Sequence, residues 1–406
     1  MKALAAYGLL GWPLAMVMLP VYVQLPNFYA AQLGLSLGLT GAVFFAARLI
    51  DTVQDPWIGH WLDRSQQRSR LLILAALTLT AALAALLIPP ALTGGWLAVW
   101  LALFLALTYT AHSIVNIAYQ AWGARISDDP AMRTRVAAWR EGMGLGGVVL
   151  ASVLPTVLAS YLGMAAALQV LALVFAACLW PALWALLRFA PQVSWRASVN
   201  QDWRTPLRNP RFLRLACVFV LNALAVSIPA TLALFFIGDR LGLADKAGFF
   251  LAIYFVAGAA GLPVWTRLAA RMGKVAAWRC GMVMACLAFV WAVFLPPGAA
   301  LAYALVCLLS GLALGADLAL PPSLLADVIP ESERDRTAAY FGLWSLLAKL
   351  ALALSGLALP LLALTGYRAG LPAGLELALV YAGLPCLLKI TAFLLLGRVA
   401  KGLHHA

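Results

Sequence analysis

Two aspartates within an apolar stretch are the residues of this chain best suited to chemistry by type and spacing. Asp51 and Asp55 lie four residues apart, so on a helix both carboxylates project from one face, a turn apart. Such a pair can supply oxygen ligands to Na⁺, or it can hold a proton that burial and the neighbouring carboxylate retain. The residues alone leave both cation sites open. They also leave open a structural pairing of Arg48 with either aspartate, although a buried ion pair is a poor substitute for apolar packing.

The composition predicts that these aspartates lie inside a membrane. Of 406 residues, 64% are hydrophobic and 11% are charged, and the mean hydropathy is +0.94, whereas soluble domains have about 45 to 50% apolar and about 25% charged residues. Apolar stretches of about 20 residues, the length that spans a bilayer, recur along the chain. We therefore expect an all-α polytopic membrane protein with twelve transmembrane helices. Only Lys2 precedes the first apolar segment, so we expect no cleavable signal peptide.

The net charge of +13 follows the order of the apolar segments. Basic residues cluster after the even-numbered segments, whereas the odd-numbered connections hold only Arg240, Lys246 and Arg368. By the positive-inside rule, both termini and every even-numbered loop are cytoplasmic, and we expect a bacterial-type inner membrane. No basic run is interleaved with base-stacking aromatic residues, so we expect no nucleic-acid partner.

The longest polar stretch lies between the sixth and seventh apolar segments and divides the chain nearly in half. We expect an N-terminal six-helix bundle at 1–188, a cytoplasmic linker at 189–210 and a C-terminal six-helix bundle at 211–406. Two such halves are the duplication that is common in transporters.

A weak internal repeat supports the duplication. PWIGHWLDR begins at Pro56 and PVWTRLAAR begins at Pro263. Each places an arginine eight residues on, Arg64 or Arg271, at the end of the second helix of its half.

A charged motif follows the second apolar segment. Gly59, Asp63, Arg64 and Arg68 stand in the order Gly-x-x-x-Asp-Arg-x-x-x-Arg. This order resembles the loop between helices 2 and 3 of the major facilitator superfamily. In that superfamily the acid and the arginines make cytoplasmic contacts between the domains, which break and re-form as the transporter rocks. The alternative is a basic loop that serves topology alone.

The fourth apolar segment carries a polar stripe. Ser113, Asn116 and Gln120 recur at helical spacing, so we expect this face to border a cavity or another helix and not lipid. His112 beside the stripe is either a hydrogen-bonding residue between helices or part of a proton path.

Two cations lie deeper in apolar segments than the loop arginines. Arg140 begins the fifth segment, about 137–162, and Lys349 lies within the eleventh, about 337–364. Either cation can bind an anionic substrate or pair with an acid, and either can instead extend to the membrane interface. Gly142 and Gly146 form a small-x-x-x-small face that favours close helix approach.

Nothing in the sequence predicts a cofactor. The six cysteines lie in apolar segments without a Cys-x-x-Cys pair, so we expect no disulfide and no metal centre. Na⁺ at Asp51 and Asp55, or H⁺, is the only ion that we expect.

Several stretches together resemble one transporter family. RLIDTVQDPWIGHWLDR, VNIAYQAW, RNPRFL and LADVIPESERDRTAAYFGLWSLLAKL are similar to the glycoside-pentoside-hexuronide:cation symporters, the branch of the major facilitator superfamily that includes melibiose permease. The resemblance implies the major facilitator fold. It also implies a cation site and two substrate-binding cations, at positions that match the family motif: Asp51, Gln54, Asp55 and Ser113 for the cation, and Arg140 and Lys349 for the substrate.

The chain departs from that family at the sugar site. The helix 1 aspartate that holds sugar hydroxyls corresponds to Ala15, and the helix 4 aspartate corresponds to Asn116. The helix 4 tryptophan that stacks on the galactosyl ring corresponds to Gln120, with Trp122 nearby. A charged hydrogen bond is worth about 1.5 to 3 kcal/mol, so these losses argue against a galactoside. An acidic sugar, an organic anion or an amphiphile with an anionic head fits the remaining cations better.

These observations predict a monomeric secondary transporter in which Na⁺ or H⁺ and a small organic solute move together by alternating access. Proton-driven export of a lipophilic compound is the nearest alternative. A membrane prenyltransferase would need a second acidic cluster of similar spacing for Mg²⁺ and diphosphate, but Asp317 and Asp327 lie ten residues apart. A structural or receptor role without transport is the remaining alternative.

Overall fold

The computed structural model describes residues 2–193, 204–368 and 371–403, and all regular structure within them is helical. These residues form twelve helices that are long and apolar enough to cross a membrane, which confirms the predicted all-α fold. Residues 194–203 of the predicted linker lie outside the described residues. The helices are α1 Lys2–Gln32, α2 Leu37–Arg64, α3 Arg68–Leu87, α4 Gly94–Arg125, α5 Pro130–Leu162, α6 Met164–Phe189, α7 Pro210–Arg240, α8 Ala244–Met272, α9 Lys274–Val293, α10 Ala300–Val328, α11 Glu331–Leu364 and α12 Leu375–Arg398.

Some of these spans are interrupted. Proline lacks a backbone N–H, so it removes a hydrogen bond and widens or bends a helix. α1 contains Pro13, Pro20 and Pro26 and includes two π-helical turns, Pro20–Gln24 and Phe28–Gln32. α11 is also interrupted, with a 3₁₀ turn Glu331–Arg336 followed by helices Thr337–Ser355 and Ala358–Leu364. α12 contains a π turn Leu379–Gly383 before the helix Leu384–Leu403.

The ends of α1 and α7 share an unusual turn that the weak repeat did not reveal. FYAAQLGLS begins at Phe28 and FIGDRLGLA begins at Phe236, and each starts with a five-residue π turn. In both turns the leucine before the glycine donates its N–H to the carbonyl of the first phenylalanine, at 3.1 and 3.0 Å. Gly34 and Gly242 follow with φ of 74° and 68°, a conformation that glycine adopts without strain. The first helix of each half therefore ends in the same way.

The helices form two compact units, which do not follow the chain strictly. The first comprises Met1–Asp128, Trp139–Trp203 and Glu331–Leu346, and the second comprises Asp129–Ala138, Arg204–Pro330 and Leu347–Ala406. The start of α11 thus belongs to the first unit, and the start of α5 belongs to the second. The domain boundaries that we expect at residues 188 and 211 stay a prediction.

Close backbone contacts hold α1 against α5 within the first unit. A Cβ added at Gly11 would lie 2.5 Å from the carbonyl oxygen of Arg140. On the other side of the contact, Gly146 and Gly147 face the ring and carbonyl of Trp12. Gly11 and Gly147 have no space for a side chain because the backbone of the facing helix lies against them, and Gly146 has none because the Trp12 ring does. This packing fixes the level of Arg140 beside α1.

Candidate functional site

The two aspartates of α2 are buried in the first unit. Asp51 is 2% exposed and Asp55 is 0% exposed. Ser36 caps the helix by accepting a hydrogen bond from the Leu39 N–H at 3.3 Å, and Pro56 lies inside the helix directly after Asp55. Because a buried carboxylate is costly without compensating donors or charge, the surroundings of each aspartate indicate its role.

Asp51 is surrounded by the predicted cation ligands. The Ser113 hydroxyl on α4 donates to Asp51 Oδ1 at 3.1 Å, and Gln54 Nε2 donates to the same oxygen at 3.4 Å. Thr110, one turn before Ser113, donates to Gln54 Oε1 at 2.9 Å. The structure therefore brings Asp51, Gln54 and Ser113 together and adds Thr110 behind them.

Asp55 faces α11. The Ser345 hydroxyl donates to Asp55 Oδ2 at 2.5 Å. The backbones meet beside this bond, because a Cβ added at Gly342 would lie 2.5 Å from the Asp55 carbonyl oxygen. Sequence reasoning missed Ser345, and its only signal was its place one turn before Lys349 on the same helix.

Arg48 and His112 flank this site. The Arg48 guanidinium carbon lies 4.6 Å from the centroid of the Tyr22 ring on α1, an arrangement in which the ring face attracts the cation. His112 Nε2 lies 3.1 Å from the Leu14 carbonyl oxygen. His112 thus makes a contact between α4 and α1.

The predicted substrate residue Arg140 is bonded to its neighbour. Its Nε donates to Glu141 Oε1 at 3.0 Å, and its Nη2 donates to the same oxygen. Arg140 is half-buried, as are Asn116 and Gln120 on α4. Ala15 faces α5, since a Cβ added at Gly144 would lie 3.7 Å from its methyl carbon. The sequence alone did not predict that Glu141 pairs with Arg140.

Two other predicted substrate residues have different surroundings. Trp122 is buried, and its indole N–H donates to the Pro191 carbonyl at 3.0 Å. Lys349 is half-buried in the continuous helix that begins at Thr337.

The predicted loop cluster places Asp63 at the start of the helical part of α11. Asp63 is 1% exposed, and its two oxygens accept the N–H groups of Ala338 at 3.0 Å and Ala339 at 2.6 Å. These amides have no partner within their own helix, and the negative charge complements the helix dipole. Gly59 lies against the Ala338 carbonyl without room for a Cβ. α2 thus contacts the same helix at Asp63, Gly59 and Asp55.

The arginines of the motif differ in their surroundings. Arg68 is 5% exposed, donates to the Asp63 carbonyl at 3.1 Å and approaches its carboxylate at 3.6 Å. Arg64 and Arg271 are exposed.

In the second unit, Asp327 at the end of α10 joins two cations. Arg133 Nη1 donates to Asp327 Oδ1 at 2.9 Å, and Lys274 Nζ pairs with the other oxygen. Thr134 and Ser323 share a hydrogen bond at 2.9 Å beside them. The sequence alone did not predict these partners of Asp327.

A second buried ion pair lies among α7, α9, α10 and α12. Lys389 Nζ donates to Asp317 Oδ2 and to Asn222 Oδ1, both at 2.7 Å. Asn222 Nδ2 and Trp278 Nε1 donate to Asp317 Oδ1 at 3.0 and 2.9 Å. This cluster satisfies its own charges and hydrogen bonds, as a structural network must.

Known proteins resemble this chain in sequence. The family model described as MFS/sugar transport protein matches residues 4–400. Inner membrane symporter YicJ of Escherichia coli strain K12 is 24% identical over 58% of this chain and 54% of its own length. YagG of the same strain, whose name describes a glycoside/cation symporter, is 26% identical over 40% of this chain and 36% of its own length. The matches thus span about half or less of these curated relatives.

Solved structures share the fold at low sequence identity. A bacterial homologue of the iron transporter ferroportin, solved in an outward-facing state, has a TM-score of 0.77 at 17% identity and covers 98% of this chain and 99% of its own. A variant of the Escherichia coli fucose:proton symporter FucP has a TM-score of 0.71 at 13% identity, with 98% of each chain covered.

Proposed function

Since this chain belongs to the MFS/sugar transport protein family, we propose that it is a secondary active transporter that moves Na⁺ or H⁺ together with a small organic solute. The family consists of transporters, so the prenyltransferase alternative is wrong. The chain is an integral membrane protein with helices that can span a bilayer. We further propose an inner-membrane location with both termini in the cytoplasm, from the positive-inside rule.

The observation that carries the proposal is the burial of Asp51 and Asp55 beside neutral hydroxyl groups. Two carboxylates one turn apart repel each other in a low-dielectric interior, and Ser113 and Ser345 donate hydrogen bonds to them without adding charge. A bound Na⁺ would offset one of the negative charges and take oxygen ligands from the carboxylates and hydroxyls, ligands that suit such hard cations. A shared proton would offset the same charge, so both ions remain in the proposal.

Coupling follows from the contacts of α2 with α11. Asp55 accepts from Ser345, and Asp63 of the same helix caps the start of the helix that carries Ser345. When a cation binds, the Ser345 hydroxyl would turn from donating to Asp55 to offering its oxygen to the cation, which changes how strongly α11 is held. Cation binding and the position of α11 are therefore linked, and by reciprocity the position of α11 changes cation affinity.

The proposed substrate is an acidic sugar or another small organic anion. Arg140 would bind its carboxylate in two-point geometry, in exchange for the bond to Glu141 seen here. Lys349 would supply a second positive charge, and Asn116 and Gln120 would bond to hydroxyl groups. Trp122 is proposed as an apolar support of this surface.

A thermal-shift titration tests the cation site. The purified protein is heated in Na⁺, Li⁺ or K⁺ at several pH values, beside Asp55→Asn and the control Asp245→Asn, which alters an exposed acid in the first turn of α8. Binding stabilises the native state by about 2.7 kcal/mol at about one hundred times Kd. Na⁺ coupling is supported if Na⁺ raises the melting temperature saturably and only Asp55→Asn removes this increase. H⁺ coupling is supported if the melting temperature instead depends on pH and only Asp55→Asn removes that dependence. Absence of both overturns the proposed site.

Transport in proteoliposomes tests the rest of the proposal. An imposed Na⁺ or H⁺ gradient should drive accumulation of an acidic sugar in the direction in which the ion flows, and Arg140→Gln should lower the apparent affinity about tenfold through the loss of charged hydrogen bonds. Movement of solute against the direction of the proton gradient would instead support the exporter.

A further inference from the structure

A groove on the lipid-facing side of the second unit contains an arginine that the proposed transport mechanism does not use. The cavity has a volume of about 520 Å³ and lies between the end of α8, the first half of α9 and α12. Several lining side chains are largely exposed, among them Leu287 at 70% and Val283 at 44%, and on a spanning helix such surfaces contact lipid. Within the described part of the chain, Arg279 is the only charged residue of the lining, which otherwise includes Met272, Cys280, Met284 and Phe393.

Contacts with α12 hold Arg279 in place, but its guanidinium keeps N–H donors that can bind a ligand. Its guanidinium carbon lies 4.0 Å from the centroid of the Phe393 ring. One turn further along α12, a Cβ added at Gly397 would lie 3.4 Å from the same carbon, so the absence of a side chain there lets the guanidinium approach. Its Nε is buried without a hydrogen-bond partner, and no acidic side chain pairs with it among the described residues. A guanidinium at the edge of lipid is stabilised most by an anion that accepts two hydrogen bonds.

Along the groove, charged residues are followed by apolar residues in the order in which a phospholipid presents its headgroup and its acyl chains. Arg279 lies five residues after the start of α9 at Lys274, about 8 Å along the helix, which is the level of phosphate groups at the inner membrane interface by the charge rule. Leu287 lies a further eight residues into the membrane, about 12 Å deeper, at the level of acyl chains. Arg271 and Arg398 are exposed at the same ends of α8 and α12, so the rim of the groove is positive.

We propose that this groove binds one diacyl phospholipid with a net negative headgroup, whose phosphate accepts hydrogen bonds from Arg279 and whose acyl chain lies along α9. The positive rim selects an anionic headgroup over a zwitterionic one, since basic residues near the membrane surface attract anionic lipids. The lipid joins α9 to α12 and leaves the residues of the transport site untouched.

Two cysteines of the native chain allow a matched test. Cys280 lines the groove, whereas Cys217 lies on α7 outside it, and both are exposed. Each lies about 10 Å from the start of its helix at the basic end. The rate of modification by N-ethylmaleimide is measured for both thiols by mass spectrometry, on detergent-purified protein titrated with phosphatidylglycerol, phosphatidylcholine or inorganic phosphate.

The expected result is that phosphatidylglycerol slows modification of Cys280 about tenfold at saturation and leaves Cys217 unchanged. Arg279→Gln should raise the half-maximal lipid concentration about tenfold, through lost charged hydrogen bonds, whereas Arg267→Gln, an exposed arginine of α8 outside the groove, should not. Equal protection by phosphatidylcholine would show ordinary boundary lipid, and protection by phosphate alone would show a free-anion site. Either result, or no protection, overturns the proposal.

A second variant keeps the test decisive if Arg279→Gln does not fold. Gly397→Leu places a side chain against the guanidinium near the C-terminal end of α12 and should weaken protection of Cys280 without removing the charge. Protection that persists unchanged in Gly397→Leu contradicts the proposed position of the phosphate. Because none of these readouts depends on transport, they are independent of the proposed cation site.

Discussion

Replacement of Asp63 by asparagine should detach the start of the helical part of α11 from α2. The carboxylate is 1% exposed and accepts two backbone N–H groups, at 3.0 and 2.6 Å. Asparagine keeps one acceptor oxygen of nearly the same size but turns an N–H₂ group toward the second amide. Asp63→Asn therefore removes one charged hydrogen bond and the favourable interaction with the helix dipole while it preserves the shape of the side chain.

The magnitude follows from these two losses. A hydrogen bond to a charged group contributes about 1.5 to 3 kcal/mol, and a charge at a helix end contributes about 0.3 to 1 kcal/mol. Part of the loss is recovered, because an asparagine side chain is itself a good capping group. We take about 2 kcal/mol as the net effect, which corresponds to an increase of about thirtyfold in the detached population.

Hydrogen–deuterium exchange measures that population directly. Amide exchange at residues 338–342 should accelerate about thirtyfold in Asp63→Asn, since exchange reports local opening. Arg64→Gln is the matched control, because this adjacent side chain is exposed and its loss should leave the same amides unchanged. The reasoning is refuted if the two variants behave alike, or if acceleration is spread evenly over all helices.

Three further substitutions test other contacts. Ser345→Ala should weaken cation binding about tenfold through loss of its hydroxyl beside Asp55, measured by the same thermal-shift titration; an unchanged midpoint would remove Ser345 from the site. Lys389→Met should destabilise the protein by about 3 to 5 kcal/mol, because Asp317 would remain buried without its cation. The double variant Lys389→Met with Asp317→Asn should recover most of the loss in melting temperature. Failure to recover would contradict a paired role. Gly147→Ala should lower the melting temperature because a methyl group there meets the backbone of α1, and a neutral result would contradict the close packing.

Much of the fold was predictable, because the need to satisfy backbone groups in lipid leaves few alternatives to spanning helices. The twelve spanning helices that the composition predicts are present among the described residues. α5 begins at Pro130, seven residues before the predicted start, because a hydrophobicity criterion does not detect the polar turns that continue a helix beyond the apolar core. The Asp51–Ser113 hydrogen bond was consistent with the predicted ligand set, since both residues matched a family motif.

The partners of the buried charges were not predictable in the same way. Lipid and protein interior are similarly apolar, so the periodicity of an apolar helix does not reveal which face meets a neighbour. The pairing of Lys389 with Asp317 depends on how α12 is rotated, which the sequence of the helix does not reveal. Ser345 lay beyond sequence reasoning for a related reason, because a single hydroxyl within a spanning helix can bond to its own backbone.

The matching ends of α1 and α7 set a register between the two halves, and that register exposes an asymmetry. In the following helices the weak repeat shifts this register by one residue and pairs Pro56 with Pro263, so Asp55 corresponds to Leu262, and Asp317 of the second half corresponds to Thr110 in the first. Each half thus has a buried acid at a position where its counterpart has none. The two halves share their turns but not their buried charges, so we expect a transmembrane electric field to act on them unequally.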